Sequence, residues 1–219
     1  RTPLYIASQA GHADVVRLLL GHGADVDKAM TDYGTTPLII ASQQGYTDVV
    51  KLLLEHGADA DKARTDDGTT PLFMASMNGH TDVVTLLLEH GANADKATTA
   101  DGSTPLLIAC AAGSSEAQLA TQQLLLESGA DPTASNSKGQ SVLELADLFV
   151  SIPEERGYID FTEFIVARVS GETQDSAEQS PPRVQTAGKL DPPSRPAMRH
   201  LLPSEVGLVD RQMVKEIRA

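Results

Sequence analysis

Histidines and aspartates that could do chemistry recur at equal spacing along this chain. Three of each lie 34 residues apart: His22, His56 and His90, and Asp27, Asp61 and Asp95. Imidazoles could bind zinc, and paired carboxylates could act as general acid and base. Equivalent positions on neighbouring helices are roughly 8–10 Å apart, whereas zinc ligands converge to about 2 Å from the metal. Neither set can therefore form a single metal or catalytic site, and we interpret the aspartates as a solvated face.

The common sequence motifs of enzymes are missing. The chain has no Gly-rich phosphate loop, no pair of metal-binding cysteines and no nucleophile elbow. Its one cysteine, Cys110, excludes an internal disulfide and fits a reducing, cytoplasmic location. Cys110 takes a place that Ser8, Ser42 and Ser76 fill elsewhere, which predicts a buried structural thiol. We predict a protein that is not an enzyme and has neither a metal nor a cofactor.

One segment, GYIDFTEF at Gly157–Phe164, resembles the second half of an EF-hand calcium loop. Glu163 falls at the last, bidentate ligand position. The first half departs from that motif, because Ile152 stands where the first Asp is needed and Arg156 where the fifth-position ligand is needed. The same residues also fit a helical hairpin that caps the repeats, with a capping box formed by Asp160 and Glu163. The poor ligand set argues against functional calcium binding.

Internal repeats organise the chain from its beginning. The unit from Thr36 reads TPLIIASQQGYTDVVKLLLEHGADADKARTDDGT, and close copies begin at Thr2 and Thr70. A diverged fourth unit begins at Thr104 and gains four residues in its middle, and a partial fifth begins at Ser141. Tandem units of one length indicate a linear stack, which offers a long surface rather than one deep cleft.

Each unit is predicted to fold as two short helices. Thr36 is a good N-cap, and Pro37 suits the first helical position. Gly45 ends this helix, Thr47 caps a second one, and Gly57 supplies the left-handed residue at its end. The second helix carries more apolar side chains than one helix can hide. Each unit must therefore bury them against its neighbours.

The pattern TPLxxA, followed by G-[HY]-x-D-V-V-x-LLL-x-H-G-A-D, strongly resembles the ankyrin repeat, from Arg1 to about Ala146. The resemblance implies an all-α solenoid of helix-turn-helix units. Two departures are the length of 34 rather than 33 residues and an apolar residue in place of the usual His after TPL. The resemblance also implies structural roles for the histidines. His22, His56 and His90 would cover the carbonyls at the ends of the outer helices. His12 and His80 would form hydrogen bonds within loops.

The chain is acidic, with a net charge of −13, and residues 1–140 carry 8 basic and 17 acidic side chains. Such a surface repels phosphate backbones, which argues against nucleic-acid binding and mildly favours a basic protein partner. No apolar run reaches the roughly 18 residues that span a bilayer, so no membrane association is predicted. Because the sequence opens inside a unit, we expect a fragment of a longer protein whose targeting signals could lie elsewhere.

Comparison of the units with one another indicates where a partner would bind. Two clusters vary between units: the end of the first helix, and the polar loop after the second helix, called the finger. In ankyrin proteins, which these repeats resemble, both lie on the concave groove that binds partners. The predicted binding residues are Met30, Asp32, Tyr33, Gln43, Gln44, Arg64, Asp66, Asp67, Met77, Asn78 and Asp101. Tyr33, Arg64 and Met77 are the expected anchors, because Tyr, Arg and Met are enriched at interfaces.

We predict that the repeats occupy residues 1–150, and the composition of the chain changes after them. A capping or EF-like hairpin is predicted over 151–170, and a disordered linker rich in Ser, Gln and Pro over 171–203. An amphipathic helix is predicted over 204–219. That helix would either dock a partner or fold back on the stack.

The sequence thus predicts a non-catalytic scaffold that binds a protein partner through its groove. A preorganised stack loses little entropy on docking, so contacts spread over several units can sum to useful affinity. Two alternatives stay open: a calcium-responsive sensor that uses the EF-like hairpin, and a targeting module of a larger enzyme.

Overall fold

The computed structural model describes residues 1–113 and 115–147. Within these residues the chain forms helices and no strand, with one isolated bridge between Ser135 and Ser141. The helices are α1 (Pro3–Gln9), α2 (Ala13–Gly21), α3 (Pro37–Gln44), α4 (Thr47–Glu55), α5 (Pro71–Asn78), α6 (Thr81–Glu89), α7 (Pro105–Ala111), α8 (Glu116–Glu127) and α9 (Val142–Asp147). The predicted all-α repeat fold is confirmed. The predicted hairpin, linker and tail helix over 151–219 lie outside the described residues.

Successive helices pair into four repeats, which we number 1 to 4: α1 with α2, α3 with α4, α5 with α6, and α7 with α8. The first helices of the pairs, here the inner helices, pack side by side in chain order, and α9 continues that row after α7. The second helices, here the outer helices, form a parallel row of their own from α2 to α8. Each repeat therefore contacts mainly the repeats on either side, as a linear stack requires.

The Thr-Pro pairs start the inner helices as predicted. The Thr36 hydroxyl accepts a hydrogen bond at 3.2 Å from the backbone N–H three residues on, and the other three repeats have the same bond. Gly45 and Gly57 take left-handed backbone, with φ of 75° and 82°. The prediction that Thr47 caps the outer helix is wrong. Thr47 is the first helical residue, and the cap position belongs to Tyr46, whose side chain makes no capping bond.

Leucine, valine and alanine side chains form one core that runs through the stack. In repeat 2, Leu38, Val50 and Leu53 are fully buried. Ile39, which takes the place of the usual His, is fully buried as well. Burying one Leu or Val side chain stabilises a fold by roughly 1.5–3 kcal/mol. The stacking of neighbours is therefore the main source of stability for helices this short.

Repeat 4 departs from the others in its outer helix. Helix α8 has 12 residues against the nine of α6, which accommodates the insertion. Where repeat 3 buries two valines, repeat 4 buries Thr121 and Gln122. The Gln122 amide nitrogen donates to the backbone carbonyls of Ala109 at 3.0 Å and Gly113 at 3.2 Å. Both of its hydrogens are thus used inside the core.

Cys110 is 1% exposed, and desolvation raises the pKa of its thiol to about 12. The prediction of a buried structural thiol is confirmed. The equivalent hydroxyls of Ser8, Ser42 and Ser76 are also buried, and none has a hydrogen-bond partner among the described residues.

Candidate partner-binding surface

The fingers end in short tips of the same construction. The tips span residues 30–34, 64–68 and 98–102, and two backbone hydrogen bonds close the base of each. In the first tip, Met30 N–H donates to the Thr35 carbonyl at 2.9 Å. The same bond joins Arg64 N–H to the Thr69 carbonyl at 2.9 Å. Most of the predicted binding residues lie in these tips.

Further backbone hydrogen bonds join neighbouring tips into a continuous row. Thr65 N–H donates to the Tyr33 carbonyl at 3.0 Å, and Thr99 N–H donates to the Asp67 carbonyl at 2.8 Å. The row continues into repeat 4, where Ser137 N–H donates to the Asp101 carbonyl at 2.8 Å. The spacing of the tips is therefore fixed by the backbone, and their side chains start from a preorganised frame.

Arg64 is the centre of a charged cluster on this row. Its guanidinium donates from Nε to Asp66 Oδ1 at 3.0 Å and lies 3.6 Å from Asp67 Oδ1. The guanidinium also lies 5.5 Å from the centroid of the Tyr33 ring, within cation–π range. Burial by itself lowers the pKa of Arg64, but the hydrogen bond to Asp66 and the charges of Asp67 and Asp66 outweigh it and raise that pKa. The hydrogen bond from Arg64 lowers the pKa of Asp66.

The three predicted anchors differ in how far their side chains are exposed. Tyr33 is 51% exposed, whereas the Arg64 side chain is only 21% exposed and its charge is offset by two carboxylates. Met77 is half-buried at the end of α5. Tyr33 is therefore the anchor most available to a partner.

The remaining acidic residues of the tips differ in their freedom. Asp101 Oδ1 accepts hydrogen bonds from Thr98 Oγ1 at 2.8 Å and Ser103 N–H at 3.1 Å. These bonds, with Thr98 the largest contributor, lower the pKa of Asp101. Asp32 is exposed, and among the described residues it accepts a single long bond of 3.3 Å from Thr31 Oγ1.

The second predicted cluster lies at the C-terminal ends of α3 and α5. Gln44 and Asn78 are exposed there, and Gln43 and Met77 are half-buried. Asn78 Nδ2 donates to a carbonyl of its own helix at 2.8 Å, which holds that side chain against α5. No hydrogen bond or ion pair joins this cluster to the finger tips within residues 1–113 and 115–147.

At each of these helix ends, a side chain from the next repeat forms a hydrogen bond to a backbone carbonyl. His80 Nε2 bonds the Gln43 carbonyl at 3.1 Å, which confirms the predicted loop role of His80. Gln118 Nε2 donates to the Met77 carbonyl at 2.9 Å. The sequence analysis missed Gln118, because the insertion shifts it by four residues. Counting back from the Leu triplet of repeat 4 places Gln118 in register with His80.

The equally spaced histidines and aspartates both make hydrogen bonds that support the fold. The Nδ1 atoms of three histidines each lie 2.8 Å from the carbonyl four residues earlier, as the resemblance implied: His22, His56 and His90. The aspartates are exposed or half-buried, in line with the predicted solvated face, but they also have a structural role that was not predicted. Each accepts a hydrogen bond from a backbone N–H of the next repeat, for example Asp61 from Asn93 at 3.0 Å and Asp95 from Asp131 at 2.8 Å.

Within the described ranges, no three His, Cys, Asp or Glu side chains converge where a metal ion could be held. The EF-like segment at 157–164 lies outside those ranges. Among the helices that the structure describes, none is long and apolar enough to cross a bilayer.

Comparison with known proteins agrees with the repeat architecture. A family model described as ankyrin repeats in three copies matches residues 1–64 and 58–136, more than half of the chain. No curated protein matches the chain. Ankyrin repeats are generally protein–protein interaction modules and are typically non-catalytic. The chain therefore belongs to the ankyrin repeat family.

Proposed function

We propose that this chain is a non-catalytic scaffold that binds a protein partner through the finger tips and the C-terminal ends of the inner helices, which form the concave groove in ankyrin proteins. The observation that carries the proposal is the row of tips tied together by backbone hydrogen bonds. A row held in this way loses little conformational entropy on docking. It presents Tyr33, half-exposed and backed by Arg64, as a rigid aromatic anchor.

The charges of the tips favour a cationic partner segment. The cation Arg64 is already paired with two carboxylates, and Lys138 lies 3.8 Å from Asp101. Asp32 has no cation beside it among the described residues. A partner that approaches the row therefore meets Tyr33 beside an uncompensated carboxylate. We propose a segment in which a Lys or Arg follows an apolar residue.

Affinity capture with quantitative mass spectrometry tests this proposal, with three baits of the full chain. The first is the unchanged chain, the second carries Tyr33→Ala and Asp32→Asn, and the third carries Lys51→Ala and Glu55→Ala. Lys51 and Glu55 are exposed on the outer helix α4 and make no hydrogen bond or ion pair within the described residues, so the third bait is the matched control.

We expect proteins that the first and third baits retain and the second bait loses, with all three baits melting at similar temperatures. Retention should weaken as salt is raised, because the attraction is partly electrostatic. Equal recovery by all three baits would contradict the use of the tips. A further variant, Gln44→Ala with Asn78→Ala, leaves the finger tips unchanged. It then tests whether the partner binds the helix ends rather than the tips.

A further inference from the structure

Two aromatic side chains are exposed among the described residues, and they flank one inner helix. Tyr33 is 51% exposed and Tyr46 is 37% exposed, whereas Tyr5 and Phe73 are buried. Tyr33 lies in the tip that precedes α3, and Tyr46 follows the glycine that ends α3. The eight residues of α3 span about 12 Å along the helix axis. The two exposed rings therefore lie at opposite ends of α3.

Tyr46 takes the position that His80 holds in repeat 3 and Gln118 holds in repeat 4. Each of those two side chains bonds a carbonyl at the end of the preceding inner helix. The Tyr46 ring covers Gly11 instead, where an added methyl group would lie 2.9 Å from it. Among the described residues, the Tyr46 hydroxyl has no hydrogen-bond partner, and the carbonyl of Gln9 at that helix end accepts no side-chain bond. Repeat 2 therefore presents an exposed phenol where the later repeats have a side-chain bond to their neighbour.

Each exposed tyrosine has a free carboxylate close to it in the sequence. Asp32 adjoins Tyr33, and Asp48 lies two residues after Tyr46. Asp48 is exposed and makes no hydrogen bond, and no cation lies within ion-pair distance of either carboxylate among the described residues. The guanidinium of Arg64, 5.5 Å from the centroid of the Tyr33 ring, shows that an exposed tyrosine of this surface can accommodate a cation.

We propose that the two ends of α3 form a two-point docking site for an extended segment of a partner protein with two cationic side chains about four residues apart. This inference rests on the proposed function, and it adds Tyr46 and Asp48 to the partner-binding surface. At each end a cation lies against a tyrosine ring and a carboxylate. An extended chain advances about 3.3 Å per residue, so about four residues match the length of α3. Arginine suits the site better than lysine, because a guanidinium can stack on a ring and also bond a carboxylate.

The two ends of α5, the next inner helix, differ from those of α3 in both respects. The tip before α5 carries Arg64, whose charge is offset by the aspartates of its own tip. The position after α5 holds His80, which already bonds the Gln43 carbonyl. A doubly cationic segment therefore prefers α3 to α5. This preference fixes where a partner binds along repeats that are otherwise nearly alike.

The test is a titration of the full isotope-labelled chain with two peptides of the same composition, followed by the amide shifts in NMR spectra. The probe peptide, Leu-Arg-Gly-Ser-Leu-Arg, has its arginines four residues apart. The control peptide, Leu-Arg-Leu-Arg-Gly-Ser, has them two residues apart. We expect the probe to shift amides near both Tyr33 and Tyr46. It should bind about fivefold or more tightly than the control peptide, because only the probe reaches both ends of α3.

Three variants of the chain separate this inference from the proposed function. Tyr46→His with Asp48→Asn places the residue of repeat 3 against Gly11, so the fold is kept, and it should lower the affinity for the probe to that for the control peptide. Asp82→Asn removes the equivalent charge from repeat 3 and is the matched control, which should leave the affinity unchanged. Tyr33→Ala with Asp32→Asn tests the tip alone.

The inference is overturned if the Tyr46→His variant binds the probe as tightly as the unchanged chain does. A loss of affinity in the Tyr33→Ala variant alone would then leave the tips as the binding surface, in keeping with the proposed function. Equal affinities of the unchanged chain for the two peptides would also overturn the inference. Absence of probe binding, or shifts confined to other parts of the chain, would contradict it too, and the affinity capture described above would still decide the proposed function.

Discussion

Repeats 3 and 4 fill the same place in their cores with side chains of opposite polarity. Repeat 3 buries Val83 and Val84, which are 1% and 0% exposed. Repeat 4 buries Thr121 and Gln122, which are 0% and 3% exposed. Both repeats stack on their neighbours, and both end their outer helix in the same Leu triplet. The stack therefore tolerates these two polar side chains, each of which has a hydrogen-bond partner, at an interface between helices.

The partners explain why the exchange is possible. Gln122 uses both amide hydrogens on backbone carbonyls, and the Thr121 hydroxyl lies 3.2 Å from that of Thr81 in repeat 3. A buried amide without such partners would cost several kcal/mol. Repeat 4 loses stabilisation from apolar burial and regains part of it from hydrogen bonds. The strength of a hydrogen bond depends on distance and angle far more than the stabilisation from apolar burial does.

The largest effect is expected when the polar residue is moved into repeat 3. In Val84→Gln, the carbonyls equivalent to the partners of Gln122 already accept backbone hydrogen bonds, Ala75 from His80 N–H at 3.0 Å and Gly79 from Thr81 N–H at 3.1 Å. We expect a loss of about 3 kcal/mol or more in the free energy of unfolding, measured by urea denaturation. The apolar control Val84→Leu should lose less than about 1.5 kcal/mol. Equal losses would mean that size rather than polarity separates the two repeats.

A second test concerns the side chains that lock each repeat onto the one before. A methyl group at Gly45 would lie 2.6 Å from the His80 ring, whereas one at Gly57 would meet nothing within 4 Å. Both glycines have positive φ, so Gly57→Ala isolates the backbone cost of about 1–2 kcal/mol. We expect Gly45→Ala to lose about 1 kcal/mol more, because the ring must move and its bond to Gln43 breaks. Thermal unfolding measures both.

Gly79→Ala extends that test to repeat 4. The new methyl group would lie 3.3 Å from the Gln118 amide, a flexible side chain that can shift by a few tenths of an ångström. Its loss of stability should fall between those of Gly57→Ala and Gly45→Ala. A loss larger than that of Gly45→Ala would show that Gln118 is held more firmly than His80.

Cys110 should make the stability of the stack depend on alkaline pH. The folded state raises the pKa of its thiol to about 12, above the unfolded value of about 8.5. Above pH 8.5 the unfolded chain loses the proton while the folded chain keeps it, so stability falls as pH rises. The difference in unfolding free energy between the unchanged chain and Cys110→Ala should shrink by about 1.4 kcal/mol per pH unit between pH 8.5 and 12. A difference that is constant with pH would contradict the burial of the thiol.

The sequence was sufficient for the helices and their order because each repeat carries its own start and stop residues. The Thr-Pro starts and Gly stops act within a few residues of themselves, and their register repeats. Interactions between repeats were harder to predict. The aspartate ladder was predicted as a solvated face, and what the prediction missed is that its carboxylates also accept hydrogen bonds from backbone N–H groups of the next repeat, about 32 residues along the chain. Arg64 looked like a free anchor for a different reason, since its pairing with Asp66 and Asp67 of the same tip depends on how the tip folds.

The smallest effect is expected at the buried serines. Ser42 Oγ is buried without a hydrogen-bond partner among the described residues, and the same holds in repeats 1 and 3. Repeat 4 places the less polar Cys110 there. Removing an unpaired hydroxyl from a core removes its desolvation cost, so Ser42→Ala should raise the unfolding free energy by about 1 kcal/mol, measured by urea denaturation. Ser42→Cys, which reproduces repeat 4 in repeat 2, should stabilise in the same direction. If Ser42→Ala destabilises instead, the hydroxyl has a partner in solution, and the polarity of repeat 4 would no longer set it apart from its neighbours.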